Sequence, residues 1–329
     1  MALIGALVAV ALAIGGFFAL RFSQDGGDVA TVEALRLGAY EGDVGALEWI
    51  AKDKGFFQKV GLDVTLVGFP SGNAAVNAMR AGQVEVATAA DLVVAKRSFD
   101  EPDLRVIADI CRYWNKGLIG RRDRGVVTPA DLEGKRIGVP ATSSAEHNLV
   151  VFLALQGLST DQVTTVDLPP AKLVEAMATA TIDAALVWEP HVLAIRRKLG
   201  DNAVTLMDGG TEAHLLLVST EGWLATQGRV ARKLLRAMVM AEDWVAQNPD
   251  EAKAYLTRRF ALDPDHVEVL WPRMQLAVGL PQEILAAMDS EARWLAKSGN
   301  QTAMPDFSET VHSAALRAVK PSAVHVFTK

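Results

Sequence analysis

The chain has 329 residues, half of them hydrophobic and 22% charged, with a formal net charge of −6. This composition supplies a packed core and excludes a broad nucleic-acid-binding surface, which needs a basic excess. A single cysteine, Cys111, rules out an intrachain disulfide, and the six histidines show no metal-ligand spacing, so no metal site, cofactor or catalytic cluster is expected.

Residues 2–20 carry no charge and no strongly polar group. As a helix they would span roughly 28 Å, about the thickness of a hydrocarbon core. No lysine or arginine precedes the run, no clear A-x-A cut site follows it, and no nearby cysteine offers a lipid site. Residues 1–22 are therefore read as an uncleaved membrane anchor, with a cleaved signal segment as the alternative. Arg21 conflicts with export by the positive-inside rule, and a basic stretch ahead of Met1 would remove the conflict. Residues 23–32, with Asp25-Gly26-Gly27-Asp28, read as a polar linker.

From residue 35 short apolar runs alternate with helical patterns. Strands are expected at 35–38, 64–69, 84–88, 106–110 and 117–120, with helices at 43–54, 73–80 and from 91. The pattern restarts with strands at 135–139, 163–167, 182–187, 203–206 and 215–219 and helices at 144–156, 171–178 and from 190. This alternation predicts α/β architecture with parallel βαβ units. The remainder reads as helices near 227–247, 249–259, 263–274, 281–297 and 307–317. That tail brings no sheet of its own and is expected to pack back on the first block. The expected organisation is a discontinuous first lobe, 33–118 plus 215–329, and a second lobe, 119–214. Crossing segments near 117–122 and 212–218 would act as hinges, and two lobes so joined close by rigid-body rotation.

Three ordered segments carry a family resemblance. They are EWIAKDKGFFQKVGLDVTLVGFPSGNAAVNAMRAGQVEVATA (48–89), DLEGKRIGVPATSSAEHNLVVFLALQGLS (131–159) and LVEAMATATIDAALVWEPHV (173–192). Together they resemble type II periplasmic binding proteins of the nitrate/taurine/alkanesulfonate and thiamine-pyrimidine-precursor group. Glu85 stands where Asp is usual, and Ala180-Thr181 replaces a common Gly. The resemblance implies a type II periplasmic-binding-protein fold and a monomer on the periplasmic side of the inner membrane. It also implies an ABC permease and ATPase as partners, a small-molecule ligand such as a sulfonate, taurine or pyrimidine precursor, and no enzymatic role. A membrane-tethered sensor and a pyrimidine-synthase-like enzyme are the alternatives on this fold.

Ligands of open α/β sheets bind beyond the carboxyl ends of strands, where helices begin. This places Tyr40 and Glu41 after the first strand, Ser71, Gly72 and Asn73 after the second, and Thr88 and Ala89 after the third. In the second block it places Thr142, Ser143 and Ser144 before a long helix, and Trp188 and Glu189 after a strand. One N-cap needs only one hydroxyl, and Glu146 already suits a capping box with Ser143, so the other hydroxyls are free to meet a ligand. Trp188 would form an apolar wall and Glu189 would pair an ammonium or amidine. If Glu41 and Glu189 both face the cleft, they disfavour a purely inorganic anion and favour a ligand with a cationic or donor part. Tyr113 and Trp114 are secondary candidates, while His147 and His191 read as surface helix residues.

Overall fold

The computed structural model describes residues 32–299 and 303–327. The expected anchor and most of the linker lie outside the described residues. Among the described residues, no helix is long and apolar enough to cross a membrane. The described residues from Ala34 onward form one compact unit.

The strands are β1 (Glu33–Tyr40), β2 (Leu62–Phe69), β3 (Val86–Ala90), β4 (Leu104–Tyr113), β5 (Lys116–Arg121), β6 (Arg136–Val139), β7 (Thr164–Asp167), β8 (Ala184–Trp188), β9 (Ala203–Gly209), β10 (Ala213–Thr220) and β11 (Met274–Gln275). The helices are α1 (Ala46–Asp53), α2 (Phe56–Lys59), α3 (Gly72–Arg80), α4 (Asp91–Arg97), α5 (Ser144–Leu155), α6 (Pro170–Ala178), α7 (His191–Leu199), α8 (Glu221–Gln247), α9 (Pro249–Phe260), α10 (Pro264–Leu270), α11 (Glu283–Gly299), α12 (Phe307–Thr310) and α13 (Ala314–Val319). Glycine sets the turn from α1 to β2. Gly55 (φ 70°) and Gly61 (φ 72°) are both left-handed, a conformation costly for side chains with a Cβ. The expected helix over 263–274 stops at Leu270, where Pro272 cannot continue it; a 3-10 turn, Trp271–Arg273, leads into β11.

Two sheets form, with strand orders β11-β4-β10-β3-β1-β2 and β7-β6-β8-β5-β9. The βαβ expectation holds for β1–β3, β6–β7 and β6–β8, which are parallel. The strands next to the crossings are antiparallel to their neighbours: β10 to β3 and β4, and β5 to β8 and β9. The chain passes between the sheets at residues 114–115 and again at 210–212. Both crossings thus fall earlier than the segments expected at 117–122 and 212–218. Lys116–Arg121 is buried along its whole length and paired on both sides within the second sheet. Its apolar run marks it as a strand without saying to which sheet it belongs.

The tail packs on the first lobe. Leu234, Leu235 and Met238 of α8, Met288 of α11 and Leu316 of α13 share one core with Leu37, Ile50, Phe57 and Val106. The second lobe is covered on both faces of its sheet. Leu118 faces a core with Ile137, Leu149 and Leu153, while Ile119 faces another with Leu173, Met177 and Ile195. This inside–outside alternation is the strand period of two. Beyond the crossings, contacts between the lobes include ion pairs of Arg197 with Asp263 and Asp265 (2.6 Å each) and of Arg273 with Asp208 (2.6 Å), and a hydrogen bond of His147 with Ser290 (3.3 Å).

Candidate functional site

A cavity of about 590 Å³ lies between the two sheets at the carboxyl ends of their strands. Ten of the twelve expected positions line it: Tyr40, Glu41, Ser71, Gly72 and Asn73 from one lobe, and Thr142, Ser143, Ser144, Trp188 and Glu189 from the other. Thr88 and Ala89 do not. β3 runs to Ala90, two residues past the expected end, so it is Ala90 that reaches the cavity. The Thr88 hydroxyl is fully buried and ties β3 to β1, accepting the Tyr40 N–H at 2.8 Å. Ala89 lies against the start of α3.

That contact fixes Gly72. A Cβ at this position would sit 2.7 Å from Ala89 Cα, too close for backbone to be left where it is. Gly72→Ala is expected to displace the start of α3 and to destabilise the protein by about 1–3 kcal/mol. Urea denaturation checks this; a variant as stable as the parent would show that α3 shifts freely.

The hydroxyls differ in what they have left to offer. Ser71 Oγ accepts the Ala74 N–H (3.2 Å) as the N-cap of α3. Ser143 caps α5, accepting the Glu146 N–H (3.3 Å) while donating to the Pro140 carbonyl (2.6 Å). Thr142 holds a left-handed backbone, φ 53°, strained for a β-branched residue, and its N–H donates to Glu146 Oε2 at 2.6 Å. The hydroxyls of Thr142 and Ser144 have no hydrogen-bond partner among the described residues. Asn73 Oδ1 accepts from the Arg97 guanidinium at 2.5 Å, which leaves its amide N–H₂ for a ligand.

Several lining residues escape a strand-end reading. Asp43 and Val44 come from the 3-10 turn that follows β1, and Asn115 comes from the first crossing, where its carbonyl accepts the Glu189 N–H at 2.8 Å. Phe260 and Leu262 arrive from the tail, and nothing local in the sequence marks them. Tyr113 lines the cavity; its neighbour Trp114 does not. His191 also lines it, contrary to its surface reading, and burial lowers its pKa, so it is neutral at pH 7. His147 is buried instead of exposed. Its ring packs 5.4 Å from Trp294, and burial, with a smaller contribution from Lys116, brings its pKa down to about 4. Burial and the nearby Asp43 push the Tyr40 hydroxyl up to about 12, so it stays protonated.

Two lobes joined by two crossings, with strand ends converging on an interlobe cavity, define a binding protein of the clamshell type. The profile of the NMT1/THI5-like family matches residues 46–252, and the chain belongs to that family. It is 26% identical over 238 residues to the formylaminopyrimidine-binding protein of Halalkalibacterium halodurans, covering 70% of this chain and 71% of that one. The periplasmic aliphatic sulphonate binding protein SsuA of Escherichia coli has a similar fold, with TM-score 0.74, 19% identity, and coverage of 85% of this chain and 92% of that one. The desulfurization enzyme DszB shares the fold too, with TM-score 0.67, 14% identity, and coverage of 88% and 99%.

Proposed function

We propose that this protein is the solute-binding component of an ABC-type importer, working on the periplasmic side of the membrane as a monomer. It captures a small organic ligand between its lobes and presents it to the permease. The observation that carries this reading is the convergence of strand ends and helix starts from both lobes on one cavity, while only two short segments connect the lobes. Rotation about those segments opens and closes such a cavity. The ion pairs between the lobes are partly exposed and contribute about 0–1 kcal/mol each, so they leave closure reversible.

An enzymatic role on the same fold is the second reading, favoured by the likeness to DszB. It needs a reactive group, and Cys111 is a poor one: its thiol is buried, and burial holds its pKa well above the ordinary value. A sensor would bind in the same way but report to a membrane partner.

A thermal-shift panel on the full chain, with aminopyrimidines, taurine, alkanesulfonates and nitrate, tests the leading reading. One class is expected to raise the melting temperature, and Trp188→Ala is expected to weaken its binding at least about tenfold. Small-angle scattering should show the protein contracting with that ligand. Chemical conversion of any panel member overturns the transport reading, and binding unaffected by Trp188→Ala removes the ligand from the cleft.

A further inference from the structure

The start of α5 lines the cavity with Ser143 and Ser144, and one turn further on the same helix reaches the first lobe and the second crossing. His147 Nε2 meets Ser290 Oγ at 3.3 Å, and its ring lies 5.4 Å from that of Trp294; both partners sit on α11 of the first lobe. Asn148, the next residue, is 2% exposed. Its Oδ1 accepts the Thr211 N–H at 2.7 Å and the Thr211 hydroxyl at 3.0 Å, while its Nδ2 donates to the Ser144 carbonyl at 2.8 Å. A backbone donor on one side and a backbone acceptor on the other fix which way the amide points.

The second crossing needs such a fastening. Gly209 and Gly210 are both left-handed, with φ 94° and 74°. Two successive glycines give the chain more rotational freedom than any other pair, and hinges are a few residues that absorb such rotation. Thr211 lies on the first-lobe side of this pair, two residues before β10, whereas Asn148 belongs to the second lobe. The hydrogen bonds between them therefore span the pivot. The fit is close. A Cβ at Gly210 would sit 2.7 Å from Asn148 Oδ1 and 3.0 Å from Lys116 Cβ, so α5, the start of β5 and the crossing converge on that glycine. Rotation at the glycine pair moves Thr211 relative to α5 and breaks bonds that hold only near these distances.

We propose that Asn148 is a positioning residue: it clips the second crossing to α5 and so holds the lobes at the angle at which the cavity is walled from both sides. This rests on the reading of the lobes as a clamshell that opens and closes. Because Asn148 also holds the Ser144 carbonyl, the clip and this part of the cavity wall move as one body.

Pulsed dipolar spectroscopy on the ligand-free full chain tests the proposal. Spin labels go on Leu155→Cys of the second lobe and Phe327→Cys of the first, positions 77% and 83% exposed, and the buried Cys111 stays unlabelled. Asn148→Leu keeps the branched shape and loses the amide. It is expected to raise the ratio of open to closed populations at least about fivefold, which corresponds to one net hydrogen bond. Thr211→Val, at an exposed position where folding is not at risk, keeps the N–H and loses the hydroxyl, and should shift the ratio in the same direction by less. A merely structural Asn148 would lower the melting temperature in its variant without changing the interlobe distance. An unchanged distance distribution in Asn148→Leu, or a shift that Thr211→Val does not share, overturns the proposal. Arg197→Glu, which sets like charges against Asp263 and Asp265 across the lobes, separates the two levels. If it widens the distribution and Asn148→Leu does not, only the clip falls. If neither does, the lobes do not move, and the clamshell reading falls with the clip.

Discussion

Lys116→Met is expected to lower the melting temperature by about 6–12 °C, from a loss of about 3–5 kcal/mol. Lys116 opens β5 directly after the first crossing and is 2% exposed. Its backbone is paired with Trp188 of the cleft wall on one side and with Gly209, next to the second crossing, on the other. Burial lowers its pKa, and attraction to Asp91 and Glu291 works against that. Both acids belong to the first lobe, so this cation, on the first strand of one lobe, attracts carboxylates of the other. Asp91 is stabilised by the N–H groups of Leu92 and His214, whereas Glu291 Oε2 has no hydrogen-bond partner among the described residues. Removing the cation takes one of two attractions from Asp91, the other being His214, and, among the described residues, the only one that opposes the burial of Glu291, whose pKa burial already holds well above the ordinary carboxyl range. The double variant Lys116→Met/Glu291→Leu should regain more than half of the loss, because an apolar replacement of the pair removes both desolvation penalties. Chemical denaturation of the two variants decides the matter: if the double variant is no more stable than Lys116→Met, the electrostatic account fails. The His147 resonance gives an independent check. Lys116 contributes to holding that imidazole near 4, so Lys116→Met should move its titration upward.

Much of this site was legible in the sequence because the rule for strand ends is geometric. A β-strand followed by a cap places its next residues at the rim, and Tyr40, Ser71, Thr142 and Trp188 fall there. The rule slipped at β3, where every position from Val86 to Ala89 is buried and no alternation marks the end. Thr88 looked like a ligand hydroxyl, yet it bonds the neighbouring strand. The crossings slipped for a related reason, since Lys116–Arg121 has the apolar content of either lobe. The pairing of the acids was beyond local reading altogether. Glu41 meets Arg259 and Asp43 meets His266 only because the tail folds back past the cleft. Sequence therefore marked Glu41 and Glu189 at the strand ends, missed Asp43, and did not show that Glu41 and Asp43 are answered while, among the described residues, Glu189 Oε1 is not.

The second large effect is a gain. Glu48→Leu is expected to stabilise the protein, and the gain is expected to grow with pH. Glu48 lies on α1, which packs against α8, and it is 0% exposed. Neither carboxylate oxygen has a hydrogen-bond partner among the described residues. Burial therefore holds its pKa well above the ordinary 4.5. The sign follows from proton counting. In the unfolded chain the group ionises near its ordinary value, while in the folded chain it keeps its proton. Above that value the folded state binds the extra proton, so stability falls with rising pH until the folded pKa is passed. The slope is about 1.4 kcal/mol per pH unit for a single group. Leucine has no proton to lose and no unpaired oxygen, and it keeps a similar volume on a helix whose Leu47 and Ile50 already belong to the core. The Leu variant should accordingly be little more stable than the parent at pH 5 and clearly more stable at pH 8. Glu48→Gln should flatten the pH dependence as well but recover less stability, because its amide stays unsatisfied. Urea denaturation at the two pH values separates these cases. An equal gain at both would mean that Glu48 is ionised in the folded protein, and the argument from burial would fall with it.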